Sequence, residues 1–337
     1  MHSGLHQHVR RTLGRYAMLP DGARVLVGLS GGSDSVGLLL VLHELAAHGG
    51  FRVVAAGHFN HRARSTADRD EHFCRDLTAA LGVAFVRDDA DVRAVAAAEG
   101  QSFEACARRL RYAFLHRAAR DHGADHIAVG HTRDDQAETF LLKLARGAGS
   151  SGLGGVYPRR GDTVRPLLDV SRDDIRQWLG ARGQGWVDDE SNADLSNPRN
   201  RIRHRVLPEL DAAYGGPTRA QLARAADLAR EDGQWLDERA AERLVALARR
   251  GQDCVEFDAS ALLMEPMPLR RRLILQAMRQ QAGDREIGLE HVELALEVLR
   301  GERRGADVPG SRWELRRQTL VLFPQGGRRS DSLEVRP

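Results

Sequence analysis

Three groups of side chains in this 337-residue chain combine type and spacing in ways that suit chemistry. The first is Ser30-Gly31-Gly32-Ser33-Asp34-Ser35, which follows the apolar run at 25–29 directly. Two glycines let backbone amides turn inward, and three serines add hydroxyl donors. A helix starting there adds the positive end of its dipole. Together they make a cradle for a pyrophosphate-sized anion. No Gly-Lys-Ser/Thr follows, so this is not a Walker loop. Asp34 would repel phosphate unless Mg²⁺ lay between them, which makes Asp34 the candidate Mg²⁺ ligand. The plain alternative is a strand-to-helix turn with a Ser or Asp cap. Six suitable residues in strand–loop–helix context outweigh it.

The second group pairs Asp135 and Glu138 with Glu104, Arg108 and Arg111. Residues three and four apart share a helix face. A carboxylate pair can hold an ammonium group while an opposing arginine holds a carboxylate. That combination fits a free amino acid, a basic one in particular. The competing reading is solvated helix ends, since acids favour first turns anyway. His131 begins the segment that carries Asp135 and Glu138. His58 and His61 flank Asn60 at a strand end, where a loop role near a ligand fits better than metal binding. The third group is the basic string Arg199, Arg201, Arg203 and Arg205, after the polar stretch around Asp188, Asp189, Glu190 and Asn192. A solvated loop is its plain reading, and an RNA or phosphate contact its functional one.

Two patterns are decoys. Residues 147–152 spell GxGxxG but follow a helix, whereas a dinucleotide fingerprint follows a strand. His43-Glu44 with His48 resembles a zinc motif, but five residues on a helix turn the two histidines away from each other.

Positioning these groups requires alternating elements. Buried-strand signatures fall at 25–29, 53–57, 83–86 and 127–130, with a fifth at 164–168. Helical patterns fall near 3–18, 34–47, 68–81, 102–121, 133–146 and 171–182. The alternation predicts an α/β fold, a doubly wound, mostly parallel sheet of Rossmann-like type. Residues 147–163 read as a loop and 185–204 as irregular. Breakers at Pro208 and Gly215-Gly216-Pro217 suggest a boundary. The expected organisation is a catalytic domain at 1–212, a helical linker at 213–250, a small α/β domain at 251–324 and a disordered tail at 325–337. Within the small domain, a strand at 254–258, helices at 267–282 and 288–300, and a hairpin at 313–315 and 320–323 are expected.

Composition narrows the class. Hydrophobic residues at 42% and charged residues at 29% exclude wholesale disorder. Three scattered cysteines and no CxxC argue against a disulfide framework, with a reducing cytoplasm as the expected setting. No signal-peptide pattern follows Arg10 and Arg11, and no apolar run approaches a membrane span. Of 50 basic side chains only Lys143 is lysine. Coding bias explains the total, yet guanidinium groups suit phosphates. Residues 300–337 carry 9 basic and 5 acidic side chains, a balance that suits an anionic partner.

The Ser30–Ser35 string is the signature of the PP-loop ATP pyrophosphatases, or N-type family. With Gly57-His58-Phe59-Asn60-His61, the segments at 104–112, 131–139, 143–149 and 186–194, and the string at 199–208, the chain resembles the tRNA(Ile)-lysidine synthetases. The match runs nearly continuously over residues 24–210. The resemblance implies that ATP adenylates the carbonyl oxygen at ring carbon two of the wobble cytidine in CAU-anticodon isoleucine tRNA. The ε-amine of free lysine then displaces AMP to give lysidine. It further implies that Ser30, Gly31, Gly32, Ser33, Asp34, Ser35 and His58 bind ATP, with Asp34 on Mg²⁺. Arg108, Arg111, Asp135 and Glu138 would bind lysine, and His131 would lie near the reacting nucleotide. Arg199, Arg201, Arg203 and Arg205 would meet tRNA, with Arg203 also facing developing phosphate charge. Asp34, His131, Asp135 and Arg203 are the catalytic candidates, and Asp34, Asp135 and His131 all stay open as the general base. A monomer or homodimer without a membrane partner is expected. Two other readings are a PP-loop tRNA thiolase, for which the cysteines lack a motif, and a nucleotide-binding tRNA chaperone, against which the intact acids argue.

Overall fold

The computed structural model describes residues 4–62, 67–188, 194–251, 253–283 and 285–324. The expected tail at 325–337 and the positions of Asp189, Glu190 and Asn192 lie outside these. The chain divides into two compact units, Met1–Arg230 and Glu231–Pro337.

In the first unit α1 (Gly4–Arg15) precedes β1 (Arg24–Gly28), α2 (Ser33–Ala46), β2 (Arg52–Asn60), α3 (Ala67–Ala80) and β3 (Ala84–Asp89). Then come α4 (Val92–Glu99), α5 (Phe103–Asp121), β4 (His126–Ala128), α6 (Arg133–Ala145), α7 (Ser150–Leu153), β5 (Arg159–Arg160), β6 (Thr163–Val164) and α8 (Arg172–Gly180). A helical stretch follows: α9 (Pro198–Arg201), a π-helical turn (Ile202–Val206) and α10 (Leu207–Tyr214). α11 (Thr218–Leu247) begins in the first unit and ends in the second.

After the exposed Arg24, β1 is apolar from Val25 to Val27 because both its faces are covered there. Val25 and Val27 belong to a core with Leu38 and Leu42 of α2 and with Ile175 and Leu179 of α8. Leu26, pointing the other way as strand alternation requires, joins Phe114 and Leu115 of α5 and Ile127 of β4. The strand order is β3-β2-β1-β4-β6-β5. All pairs are parallel except β5 with β6. The chain builds outward from β1 to β3, then crosses back so that β4 lies on the other side of β1. That reversal is the switch point where open α/β sheets bind ligands. The connections leaving it are the Ser30–Ser35 loop after β1 and the His131 segment after β4.

The second unit holds β7 (Ala248–Arg250), β8 (Val255–Asp258), α12 (Ala259–Met264), α13 (Met267–Ala282), α14 (Leu289–Leu299), β9 (Gly305–Val308), β10 (Ser311–Arg316) and β11 (Thr319–Pro324). Its antiparallel sheet runs β7-β8-β11-β10-β9, and Trp313 sits in its core with Leu296 and Leu322. Among the described residues no helix is long and apolar enough to cross a membrane.

Several elements differ from the sequence reading. The strand expected at 164–168 is only Thr163–Val164, because Pro166 cannot donate to a ladder. Leu167, Leu168 and Val170 are buried in the turn that follows. The stretch read as irregular becomes helical at Pro198, where the Asn197 side chain accepts from Arg199 N at 2.8 Å and Pro198 takes the first helical position. α4 has no counterpart in the sequence reading, although Asp91 caps it and Gly100 ends it in the left-handed conformation. α11 stops at Leu247, and residues 248–250 form a strand instead of more helix.

Candidate active site

The Ser30–Ser35 loop is held by its own hydroxyls. Ser35 Oγ accepts from Ser30 N at 3.1 Å and donates to Gly32 O at 3.0 Å, with Ser30 Oγ also 3.1 Å away. Gly31 has φ +90°, a conformation L side chains avoid, and a Cβ there would lie 3.4 Å from Cys74 Sγ and from Val187 Cγ2. Val187 N donates to Gly31 O at 2.9 Å and latches the turn from outside. Gly130, two residues past β4, lies flat against the first turn of α2. A Cβ on Gly130 would approach the Asp34 carbonyl carbon and oxygen to 3.1 Å. This close approach brings the His131 segment beside Asp34.

His58 is buried at the end of β2, and its Nδ1 donates to Leu29 O at 3.0 Å. A carbonyl only accepts, so Nδ1 carries the proton and Nε2 is an acceptor. Burial pushes its pKa below the usual value, so the ring is neutral.

α6 sets the acid pair. Thr132 caps it, and Asp135 Oδ2 returns the interaction by accepting from Thr132 N at 2.8 Å and Thr132 Oγ at 2.9 Å. Oδ1 is left to accept from Arg172 Nη2 and Arg199 Nη2, each at 3.2 Å. One turn on, Glu138 is fully buried. It accepts from Arg199 Nε at 2.7 Å and from Arg203 Nε and Nη2 at 2.6 and 3.0 Å. Arg172 ties the two loops together: its Nε donates to Asp34 Oδ2 at 3.0 Å, and its Nη1 lies 3.6 Å from Glu138 Oε1. Three carboxylates thus face three guanidiniums, and the cluster is close to neutral. Burial opposes ionisation of Asp135, but Arg172, Arg199 and His131 outweigh it and bring the carboxyl down to about 2. At Asp34 burial prevails over Arg172, and the carboxyl is raised.

A second cluster lies on α5 and around His131. Arg108 and Arg111 place their guanidinium carbons 4.9 and 5.5 Å from the centre of the Tyr112 ring. Burial pulls the His131 imidazole down to about 3, and Arg165, Arg111 and Arg108 add to this against Asp135. His131 is therefore neutral across the ordinary pH range. Arg201 and Arg205 are exposed, whereas Arg199 and Arg203 turn onto the acids. Lys143 donates to Gly155 O at 2.9 Å, and Gln136 Oε1 accepts from Val156 N at 2.5 Å, so α6 pins the far end of the 147–158 connection. Cys74 and Cys106 are buried, and burial pushes the Cys74 thiol up to about 12.

Sequence reasoning missed Arg172 and Arg165. Arg172 carried a signal: it is a cation in the first turn of α8, where the helix dipole favours anions such as Asp173 and Asp174. Arg165 sits inside an apolar run, and the same logic of a misplaced charge could have marked it.

Comparison with known proteins adds to this geometry. The PP-loop domain family matches residues 5–210. The chain is 38% identical to the tRNA(Ile)-lysidine synthase of Geobacter sulfurreducens, over 93% of this chain and 66% of that protein. It is 37% identical to that of Thermus thermophilus, over 89% and 57%, and to that of Symbiobacterium thermophilum, over 97% and 67%. It thus spans about two thirds or less of the length of these curated relatives. A U34-tRNA thiolase of Methanococcus maripaludis shares the fold, with a TM-score of 0.56 at 17% identity, over 67% of this chain and 78% of that one. The chain belongs to the PP-loop family and, within it, to the tRNA(Ile)-lysidine synthase family.

Proposed function

We propose that this chain joins free L-lysine to the wobble cytidine of CAU-anticodon isoleucine tRNA at the expense of ATP, forming lysidine in the cytoplasm. The observation that carries the reading is Arg172. Its guanidinium joins Asp34 of the phosphate cradle to Asp135 and Glu138 of the acid pair, at 3.0, 3.2 and 3.6 Å. The phosphate loop and the acid pair therefore adjoin at one switch point, as ligation of substrates bound side by side requires.

The chemistry follows in two displacements. The cytidine carbonyl oxygen attacks the α-phosphate of ATP and pyrophosphate leaves. The ε-amine then attacks ring carbon two and AMP leaves. Ser30, Gly31, Gly32, Ser33 and Ser35 supply donors for phosphate oxygens, and the neutral His58 offers an acceptor beside them. Asp34 fits Mg²⁺, because a single carboxylate completed by phosphates suits that ion. Bound there, Mg²⁺ would neutralise charge developing on the pyrophosphate. A lysine ammonium, with pKa about 10.4, must lose a proton before it attacks. Asp135 and His131 are both shifted away from neutrality. Arg172, Arg199 and Arg203 crowd the acids, so a fourth cation is disfavoured there and the amine form is favoured. Exposed Arg201 and Arg205 are available for tRNA phosphates. The thiolase reading lacks support: Cys74 and Cys106 are buried, and the likeness to the thiolase is one of fold.

The test is transfer of labelled lysine. The protein, ATP, Mg²⁺ and the isoleucine-tRNA transcript should label the RNA, and exchanging the wobble cytidine for uridine should abolish it. Absence of transfer with folded protein and tRNA would refute the function.

A further inference from the structure

Arg165 stands where β6 ends at the edge of the site. Its backbone is fixed, with N donating to Pro158 O at 2.9 Å, and its Nη1 donates to Tyr157 O at 2.6 Å. The residue is 4% exposed, yet its Nε has no hydrogen-bond partner, and no carboxylate among the described residues pairs with it. Two further buried atoms beside it are also without partners: Arg111 Nε and His131 Nδ1. They belong together. The Tyr112 hydroxyl interacts with both Arg111 and Arg165 and links them, and His131 feels Arg165, Arg111 and Arg108.

Native proteins pair more than about nine in ten buried polar groups, and an unpaired buried cation is costlier than an unpaired amide. Three orphans gathered on α5, after β6 and in the β4–α6 connection mark a place whose partner is a ligand. The charge decides its sign. Arg108, Arg111 and Arg165 have no carboxylate partner among the described residues, while the nearby Asp34, Asp135 and Glu138 already hold Arg172, Arg199 and Arg203.

We propose that Arg165, with Arg111 and the Tyr112 hydroxyl, forms an oxyanion site at the carboxylate end of the amino-acid substrate, and that Arg165 makes a free α-carboxylate a requirement. This rests on the lysine reading above. A phosphate oxygen presents the same chemistry, so the test separates the two sources.

Calorimetric titration of the full chain with L-lysine, L-norleucine (carboxylate without the ε-amine), cadaverine (amines without the carboxylate) and inorganic phosphate tests the site. In Arg165→Gln, lysine and norleucine should weaken roughly 10- to 100-fold, with cadaverine unchanged. Arg165→Lys should recover part of the loss, and Tyr112→Phe should weaken the same two ligands if Arg165→Gln proves unfolded. Arg165-dependent binding of phosphate, but of neither amino acid, would retain the oxyanion site and sink its assignment to lysine. Equal weakening of lysine and cadaverine, no weakening at all, or no oxyanion binding by the wild type would overturn the proposal.

Discussion

Replacing Glu138 by Gln changes one atom and disturbs the whole charge cluster. The wild-type carboxylate accepts from two arginines through contacts of 2.6, 2.7 and 3.0 Å, at a position fully closed to water. The amide can accept at one oxygen only, and its NH₂ group meets a guanidinium donor. The cluster then carries three cations against two carboxylates. Breaking a buried, hydrogen-bonded ion pair costs about 3–5 kcal/mol. For a unit of this size each kcal/mol moves Tm by roughly 2–4 °C. Glu138→Gln should therefore melt about 6–20 °C lower by calorimetry or circular dichroism. The comparison is Arg201→Gln, an exposed site, which should stay within about 0.5 kcal/mol of wild type. A Glu138→Gln protein that loses less than about 1 kcal/mol would refute the claim that the carboxylate anchors Arg199 and Arg203.

Other consequences can be checked separately. Gly31→Ala, at φ +90°, should lose about 1–2 kcal/mol and most ATP affinity by calorimetry, whereas Gly32→Ala at φ −69° should keep its stability. His131 has a folded pKa far below its unfolded value of about 6.5, so the unfolded chain binds its proton more readily. It lowers stability as pH falls from about 6.5 to about 3, and His131→Gln should flatten denaturant-measured stability across that window. Asp135 acts lower down: its depressed pKa contributes stability above the unfolded value of about 3.9, which is lost as pH falls toward about 2. Arg172→Lys replaces a fork that reaches three carboxylates with a single ammonium. It should raise KM for both ATP and lysine, and a rise for only one would contradict the bridging role.

The α/β alternation and the glycine turn between β1 and α2 were legible in the sequence, because a strand buried on both faces leaves a continuous apolar run and a glycine turn leaves a local signature. The pairing of Asp135 with Glu138 was legible for the same reason, as helical spacing fixes a shared face. What could not be read was long-range. Arg172, Arg199 and Arg203 meet the acids only because α8, α9 and the π-helical turn after it return to the sheet edge, and no spacing rule records that return. Arg199 and Arg203 look in sequence like Arg201 and Arg205, yet one pair is inward and the other exposed, a difference set by the helical phase that begins at Pro198 and the π-helical turn after it. Arg165 was hidden because a cation among apolar residues has meaning only when its neighbours are known.

Mass spectrometry of the anticodon-loop fragment, cut from isoleucine tRNA after incubation with the protein, ATP, Mg²⁺ and lysine, reads the lysine transfer at the wobble base itself. The wobble cytidine should gain the mass of one lysine less one water while one AMP and one pyrophosphate appear. An unmodified cytidine after ATP has been consumed, or a wobble base carrying sulfur instead of lysine, would contradict that transfer.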